Sequence, residues 1–188
     1  MNEKLLQQAM ALFDSLDKWN AFLELCYTKE TICDKWRDAL MEKIKQRFYS
    51  SPNMDKWQIR NDKWALRVFP QQLLENQMDI RVNLWDMRGY LFINKDIYNS
   101  DKVHKMIQNN PNIMSLLDGF EYHNEWDIYN KHFANDICES SRDSSHYIWG
   151  HDTKRVADVI FETYLHPFMT DVIMDLFVHV CNETKKGE

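Results

Sequence analysis

Two acid-acid-histidine ladders contain the residues best suited to chemistry. The C-terminal ladder is Asp171, Asp175 and His179, which recur every four residues within a largely apolar run. The upstream ladder repeats that order with Asp158, Glu162 and His166. At about 100° per residue, each ladder falls on one narrow stripe of a helix. Because carboxylates and imidazoles bind catalytic metals, two ladders that met in space could line the metal site of an enzyme.

Ordinary helix pairing explains the same spacing without a site. An acid four residues before a basic partner stabilises a helix by about 0.2–0.5 kcal/mol. The rest of the C-terminal run is apolar, which is typical of a helix that is buried on most sides. We therefore predict that Val172, Leu176 and Val180 are core residues and that the C-terminal ladder is a solvent-facing edge.

A second possible ligand cluster pairs His123 with Asp127 and His132 with Asp136, each pair four residues apart. Aromatic spacing predicts a helix from about residue 122. Its buried stripe would contain Tyr122, Trp126, Tyr129, Phe133 and Ile137. The two histidines are nine positions apart, which places them about 180° apart on such a helix, so they would not share a metal.

The familiar motifs of metal, nucleotide and nucleophile sites are absent. The four cysteines have no C-x-x-C spacing, and the four glycines form no phosphate-binding loop. Neither a G-x-S-x-G elbow nor an H-E-x-x-H motif occurs. Cys26, Cys33 and Cys181 lie in apolar helical patterns, where a reduced thiol is inert packing. We expect no bound metal and no cofactor.

The elements that would position these residues begin with a helical hairpin over residues 1–50. Apolar residues at intervals of three and four form a first helical seam: Leu5, Ala9, Leu12, Leu16, Trp19, Leu23 and Cys26. Asp14 and Ser15 are possible capping residues that would interrupt it. A second helix is predicted over residues 31–49, with the turn at "YTKE". The seam suits either a coiled-coil dimer or packing within one domain.

Residues 55–95 alternate with period two, which predicts a four-stranded antiparallel sheet with one face in the core. Arg67, Arg81 and Trp85 would lie on the other, polar face. Residues 35–70 hold nine basic and four acidic residues, although the whole chain has a net charge of −6. Aromatic and basic groups on a sheet can bind single-stranded nucleic acid. Alternatively, later helices cover this face and acids pair with the arginines.

Helical periodicity returns over residues 100–183, with Ser100 as a possible cap and Pro167 as a predicted kink. We therefore predict one α+β domain of 188 residues: an N-terminal helical hairpin, a four-stranded antiparallel sheet and a C-terminal helical layer. No apolar run is long enough to span a bilayer, and no secretory signal is evident. We expect a cytoplasmic protein with no membrane partner.

One segment resembles a known family. "KWNAFLELCYTKETICDKW", followed by tryptophan-bearing strands, is similar to regions beyond the catalytic core in some bacterial PD-(D/E)XK nuclease-like proteins. The triplets Asp152-Thr153-Lys154 and Glu183-Thr184-Lys185 match (D/E)-x-K. The first opens a predicted helix and the second lies in the tail, so the resemblance implies no activity and no site residues.

Three functions follow in order of preference. The first is a non-enzymatic binding or assembly module that acts through contacts with a protein partner or with another copy of itself. The second is a nucleic-acid-associated accessory protein, of a kind found in bacterial or phage defence and mobile-element systems, which would use Arg67, Arg81 and Trp85. The third is a metal-dependent enzyme built on the two ladders.

Overall fold

The computed structural model describes residues 3–52, 54–73, 77–123, 129–137 and 151–183. The chain divides into two compact units, Met1–Asp38 and Ala39–Glu188. Helix α1 spans Glu3–Leu12, and helix α2 spans Leu16–Tyr49 without interruption. The predicted hairpin turn at residues 27–30 is therefore wrong, because those residues lie inside α2.

The position of the helix break has a local cause. The "YTKE" segment contains neither glycine nor proline, and the Thr28 hydroxyl donates to the Glu24 carbonyl at 2.9 Å, which a helix accommodates. The break falls instead at Phe13–Ser15, which includes the predicted capping residues Asp14 and Ser15. The backbone N–H of Lys18 donates to Ser15 Oγ at 3.3 Å, a side-chain cap of the α2 N-terminus.

The second unit contains a six-stranded antiparallel sheet in the order β1-β2-β3-β4-β6-β5. The strands are β1 Trp57–Asn61, β2 Ala65–Pro70, β3 Met78–Asn83, β4 Arg88–Ile93, β5 Glu121–Tyr122 and β6 Tyr129–His132. The predicted α+β mixture and antiparallel sheet are confirmed. The predicted number of four strands is wrong.

The two additional strands occupy the segment for which a helix was predicted. Tyr129 lies opposite Leu91 in the register of β4 and β6, so pairing with a neighbouring strand overrides the helix-like aromatic spacing. His132 is a strand residue, and the opposite-sides argument for His123 and His132 no longer applies. Trp126 and Asp127 lie outside the described residues.

The second unit begins with the C-terminal part of α2, and its other helices follow strand β4. They are α3 Ser100–Gln108, α4 Pro111–Leu116, α5 Ala134–Ile137, α6 Thr153–Ile160 and α7 Asp171–Glu183. A π-helical turn at Phe161–Leu165 and a 3-10 turn at His166–Phe168 separate α6 from α7, as the predicted break at Pro167 requires. Asn99, rather than Ser100, caps α3.

One face of the sheet packs into the core of the second unit. It carries Leu66, Val68, Ile80, Val82 and Leu91, which are all 0–1% exposed. Gly89 shares this face, and a Cβ there would lie 2.4 Å from Cδ1 of Tyr164. Its role is close packing. The left-handed turn residue before β4 is Met87, with φ of 57°, rather than Gly89 as the sequence suggested.

Helix α7 confirms most of the predicted orientation. Leu176 and Val180 are buried, and all three residues of the C-terminal ladder are exposed. Val172 is 40% exposed, so its predicted core position is wrong. Ile173 and Phe177 occupy the core instead, because the buried stripe is centred one residue further along the helix.

Candidate functional site

The polar face of the sheet carries a transverse row of three arginines. Arg60 lies opposite Arg67 in the register of β1 and β2, and Arg67 lies opposite Arg81 in the register of β2 and β3. Directly opposite residues of an antiparallel pair point to the same face. We call this row, together with Arg88 of β4, the arginine face.

Arg81 forms the most buried ion pair on this face. Its Nε and Nη2 donate to the two carboxylate oxygens of Asp79, each at 3.0 Å, and the Asp79 side chain is 1% exposed. The guanidinium also lies 3.7 Å from the ring centroid of Phe92. Burial raises the pKa of Asp79, and the hydrogen bonds and charge of Arg81 offset that rise only in part.

The neighbouring arginines have weaker or more exposed partners. Arg67 pairs with Asp62, whose side chain is 50% exposed. Arg88 donates to the side-chain oxygen of Asn130, a buried residue of β6. Arg60 is exposed and forms no hydrogen bond or ion pair with any residue that the structure describes.

Two tryptophans lie at one end of this sheet. Trp85 is 67% exposed and sits in the turn after β3, and its ring meets that of Trp64 edge to face at 5.1 Å. Lys63 Nζ lies 5.6 Å from the ring centroid of Trp64. We call Lys63, Trp64 and Trp85 the tryptophan end. The sequence placed Trp85 on the strand itself, whereas β3 stops at Asn83.

Arg67 and Arg81 are thus adjacent, as predicted, and each has an acidic partner. Sequence reasoning did not single out Arg60 or Trp64 for this region, and it placed Asp79 on the polar face without predicting that Asp79 is buried. Period-two alternation contains a signal for Arg60 and Asp79, but the β1–β2 register that aligns Arg60 with Arg67 depends on the turn between the strands.

The two ladders take part in ordinary ion pairs. Arg47 binds Asp158 at 3.0 Å and Glu162 at 2.7 Å, and His166 Nδ1 lies 3.3 Å from Glu162. Lys56 binds Asp171 of the C-terminal ladder at 2.7 Å, and this partner raises the pKa of Lys56. Among the described residues, no three His, Cys, Asp or Glu side chains form a group that could hold a metal ion.

A histidine-tyrosine cluster lies near strands β5 and β6. The His104 ring stacks on Tyr122 with centroids 3.7 Å apart, and its Nδ1 is 2.9 Å from the Tyr129 hydroxyl. Burial lowers the pKa of His104 and raises that of Tyr129. The cluster ties α3 to the outer strands of the sheet.

The N-terminal unit presents an apolar surface on α2, in which Trp19, Leu25 and Cys26 are exposed and three further residues are half-buried. We call it the N-terminal stripe: Trp19, Phe22, Leu25, Cys26, Cys33 and Trp36. Leu25 is 59% exposed, and Cys26, which the sequence assigned to inert packing, is also exposed. At its start, the Phe13 ring packs on Phe22 with centroids 4.5 Å apart.

Comparisons with known proteins found no matching protein-family model, no matching curated protein and no matching solved structure. The resemblance to nuclease-like proteins consequently remains a prediction. Asp152 of its first triplet accepts a hydrogen bond from the Arg155 N–H at 2.8 Å and caps α6. Within the described ranges, no helix has the length and apolar character needed to cross a membrane.

Proposed function

We propose that this protein is an assembly module in which the N-terminal units of two copies pair along the N-terminal stripe. The observation that carries the proposal is the concentration of exposed large apolar side chains in this unit. They are Met10, Leu12, Leu16, Trp19, Leu25, Tyr27 and Ile32, each at least 45% exposed, and two of them, Trp19 and Leu25, lie on the N-terminal stripe. Exposure of apolar side chains to water is unfavourable, so burying them against a second copy of the chain stabilises the dimer.

The arrangement of the residues in the N-terminal stripe suits a second helix. At about 100° per residue, the N-terminal stripe occupies about 120° of the helix circumference. The opposite side carries Asp17, Glu24, Thr31, Lys35 and Asp38. A helix with one apolar stripe and a polar back packs against one partner rather than several.

The length of the stripe is sufficient for a short coiled coil. The α2 portion within the first unit runs over residues 16–38, which at about 1.5 Å per residue is about 35 Å. That length accommodates about three heptads. Lys29 lies at the centre of the stripe, between Cys26 and Cys33, and a charged residue at a core position fixes register at some loss of stability.

Oligomeric state tests the proposal directly. Light scattering after size-exclusion chromatography should show a dimer whose population rises with protein concentration. Leu25→Glu adds a charge to the stripe at an exposed position and should shift the protein to monomer. Tyr27→Glu is the matched control, because Tyr27 is 86% exposed and lies off the stripe on the same helix.

Two outcomes contradict the proposal. One is a wild-type protein that stays monomeric at every concentration tested. The other is an equal loss of dimer in Leu25→Glu and Tyr27→Glu, which would place the contact elsewhere. Circular dichroism of both variants should match the wild-type spectrum, since neither side chain is buried.

A further inference from the structure

We infer that the arginine face and the tryptophan end together bind single-stranded nucleic acid. In this arrangement the arginines contact phosphates and Trp85 stacks on a base. The inference concerns the second unit and is independent of pairing through the N-terminal stripe.

The arginine row is the first argument. Like charges directly opposite one another on adjacent strands destabilise a sheet. Across strands β1, β2 and β3, Arg60 lies directly opposite Arg67, and Arg67 lies directly opposite Arg81. Acids offset the repulsion at Arg67 and Arg81, but Arg60 forms no ion pair within the described ranges. A chain of phosphates laid across the row would relieve the repulsion at all three positions.

Donor capacity remains after the internal ion pairs are made. A guanidinium has five N–H donors, and Asp79 accepts only from Nε and Nη2 of Arg81. The Nη1 donors of Arg81 are not used by this carboxylate. Asp79 therefore orients the Arg81 guanidinium without using all of its N–H donors, as a supporting acid does for a phosphate-binding arginine.

The tryptophan end supplies the stacking surface. The Trp85 backbone N–H donates to Asn83 Oδ1 at 2.9 Å, which holds the turn, and the Trp64 ring packs against the Trp85 ring. An exposed ring held in this way loses little entropy when a base stacks on it. Lys63 adds a cation beside Trp64, and it forms no ion pair with any described residue.

The two parts lie close enough for one short strand. Arg81 and Trp85 are four residues apart, so at about 3.3 Å per residue their Cα atoms are separated by at most about 13 Å. Single-strand sites of this kind cover roughly 4–16 nucleotides. The charge is also favourable, because residues 57–70 carry three basic side chains, Arg60, Lys63 and Arg67, and one acidic side chain, Asp62.

The experiment measures fluorescence anisotropy of a labelled oligothymidine of roughly 12 nucleotides at low salt. Wild-type affinity should fall with salt, because phosphate contacts release counterions. Arg60→Ala should lower the slope of the salt dependence by about 0.7, the value for one phosphate contact on a single strand. Lys154→Ala, which removes an exposed cation on α6, is the matched control and should leave the slope unchanged.

An abasic strand of equal length separates stacking from charge. Trp85→Ala should weaken binding of oligothymidine roughly 5- to 150-fold, as loss of one stacked base does. The same variant should leave binding of the abasic strand unchanged. Arg60 and Trp85 are both exposed, so neither variant removes a core contact.

Three results would overturn the inference. The first is no binding of oligothymidine at low salt. The second is an equal effect of Arg60→Ala and Lys154→Ala, which indicates diffuse attraction to a polyanion. The third is an affinity for oligothymidine that Trp85→Ala does not change. None of these results depends on whether the protein forms dimers.

Discussion

Replacing Arg81 with methionine should destabilise the fold far more than the same replacement at Arg67. The two side chains lie directly opposite each other, and each is 17% exposed. Methionine retains much of the apolar contact of an arginine side chain while removing its charge. Comparing the two variants therefore shows how much stability is lost when Asp79 or Asp62 loses its arginine partner.

The expected magnitudes differ because the two partners differ in burial. Asp79 is 1% exposed, and removing one member of a buried ion pair costs about 3–5 kcal/mol. Protonation of Asp79 limits this cost, because the carboxyl can become neutral instead of remaining an unpaired charge. Relative to a usual pKa of 3.8, neutralising it at about pH 7 costs about 4 kcal/mol, since each pH unit corresponds to about 1.36 kcal/mol. Asp62 is 50% exposed and stays hydrated, so Arg67→Met should cost under about 1 kcal/mol.

Urea denaturation at neutral pH, followed by tryptophan fluorescence and circular dichroism, measures both free energies of unfolding. The slopes of the two transitions should equal that of the wild type, so that midpoints compare directly. If Arg81→Met cost no more than Arg67→Met, Asp79 could not be a desolvated carboxylate that depends on Arg81. The account of the arginine face would then be wrong.

Three further predictions concern pH and packing. Burial raises the pKa of Asp79 above 3.8, so the Asp79 carboxyl binds its proton more tightly in the folded chain than in the unfolded chain. The contribution of Asp79 to the free energy of unfolding therefore falls as pH rises from 3.8 to the raised pKa. Urea melts across that pH interval should therefore show that Asp79→Asn becomes more stable relative to the wild type as pH rises. A stability difference between the two proteins that stays constant or falls with pH would contradict this prediction. Leu176→Ala should cost about 2–5 kcal/mol, whereas Asp175→Asn, at an exposed position, should cost under about 1 kcal/mol in the same melts; equal costs would mean that the acid is buried and paired. Gly89→Ala should lower the thermal midpoint, at a cost of about 1–3 kcal/mol, because its Cβ would lie 2.4 Å from Tyr164, and an unchanged midpoint would show that the Tyr164 ring moves aside freely.

The sequence predicted the first four strands well because their signal is local. Alternation placed Ile80 and Val82 on the buried face and Arg81 on the polar one, as the structure shows. The strand at Tyr129 was missed for the opposite reason. Its aromatic spacing suits a helix, and only pairing with β4, some forty residues earlier, makes it a strand.

The predicted helical hairpin is wrong because its turn was inferred only from the short gap between two helical apolar patterns. Residues 27–30 are polar or aromatic, but they contain no residue that terminates a helix. For the candidate site, Arg67 and Arg81 could be predicted to share a face from their strands. The strength of their ion pairs with Asp62 and Asp79 could not be predicted in this way. It depends on how deeply each carboxylate is buried, and composition and periodicity do not encode that burial.

The labelling rate of Cys26 tests the proposed assembly most directly, because this thiol lies on the N-terminal stripe and is exposed in the single chain. Peptide mass spectrometry after brief treatment with a thiol reagent would follow Cys26 separately from the other cysteines. If two copies pair along the stripe, labelling should slow as the protein concentration rises, and Leu25→Glu should abolish that protection. A labelling rate that is the same at every concentration in the wild type would contradict the assembly proposal.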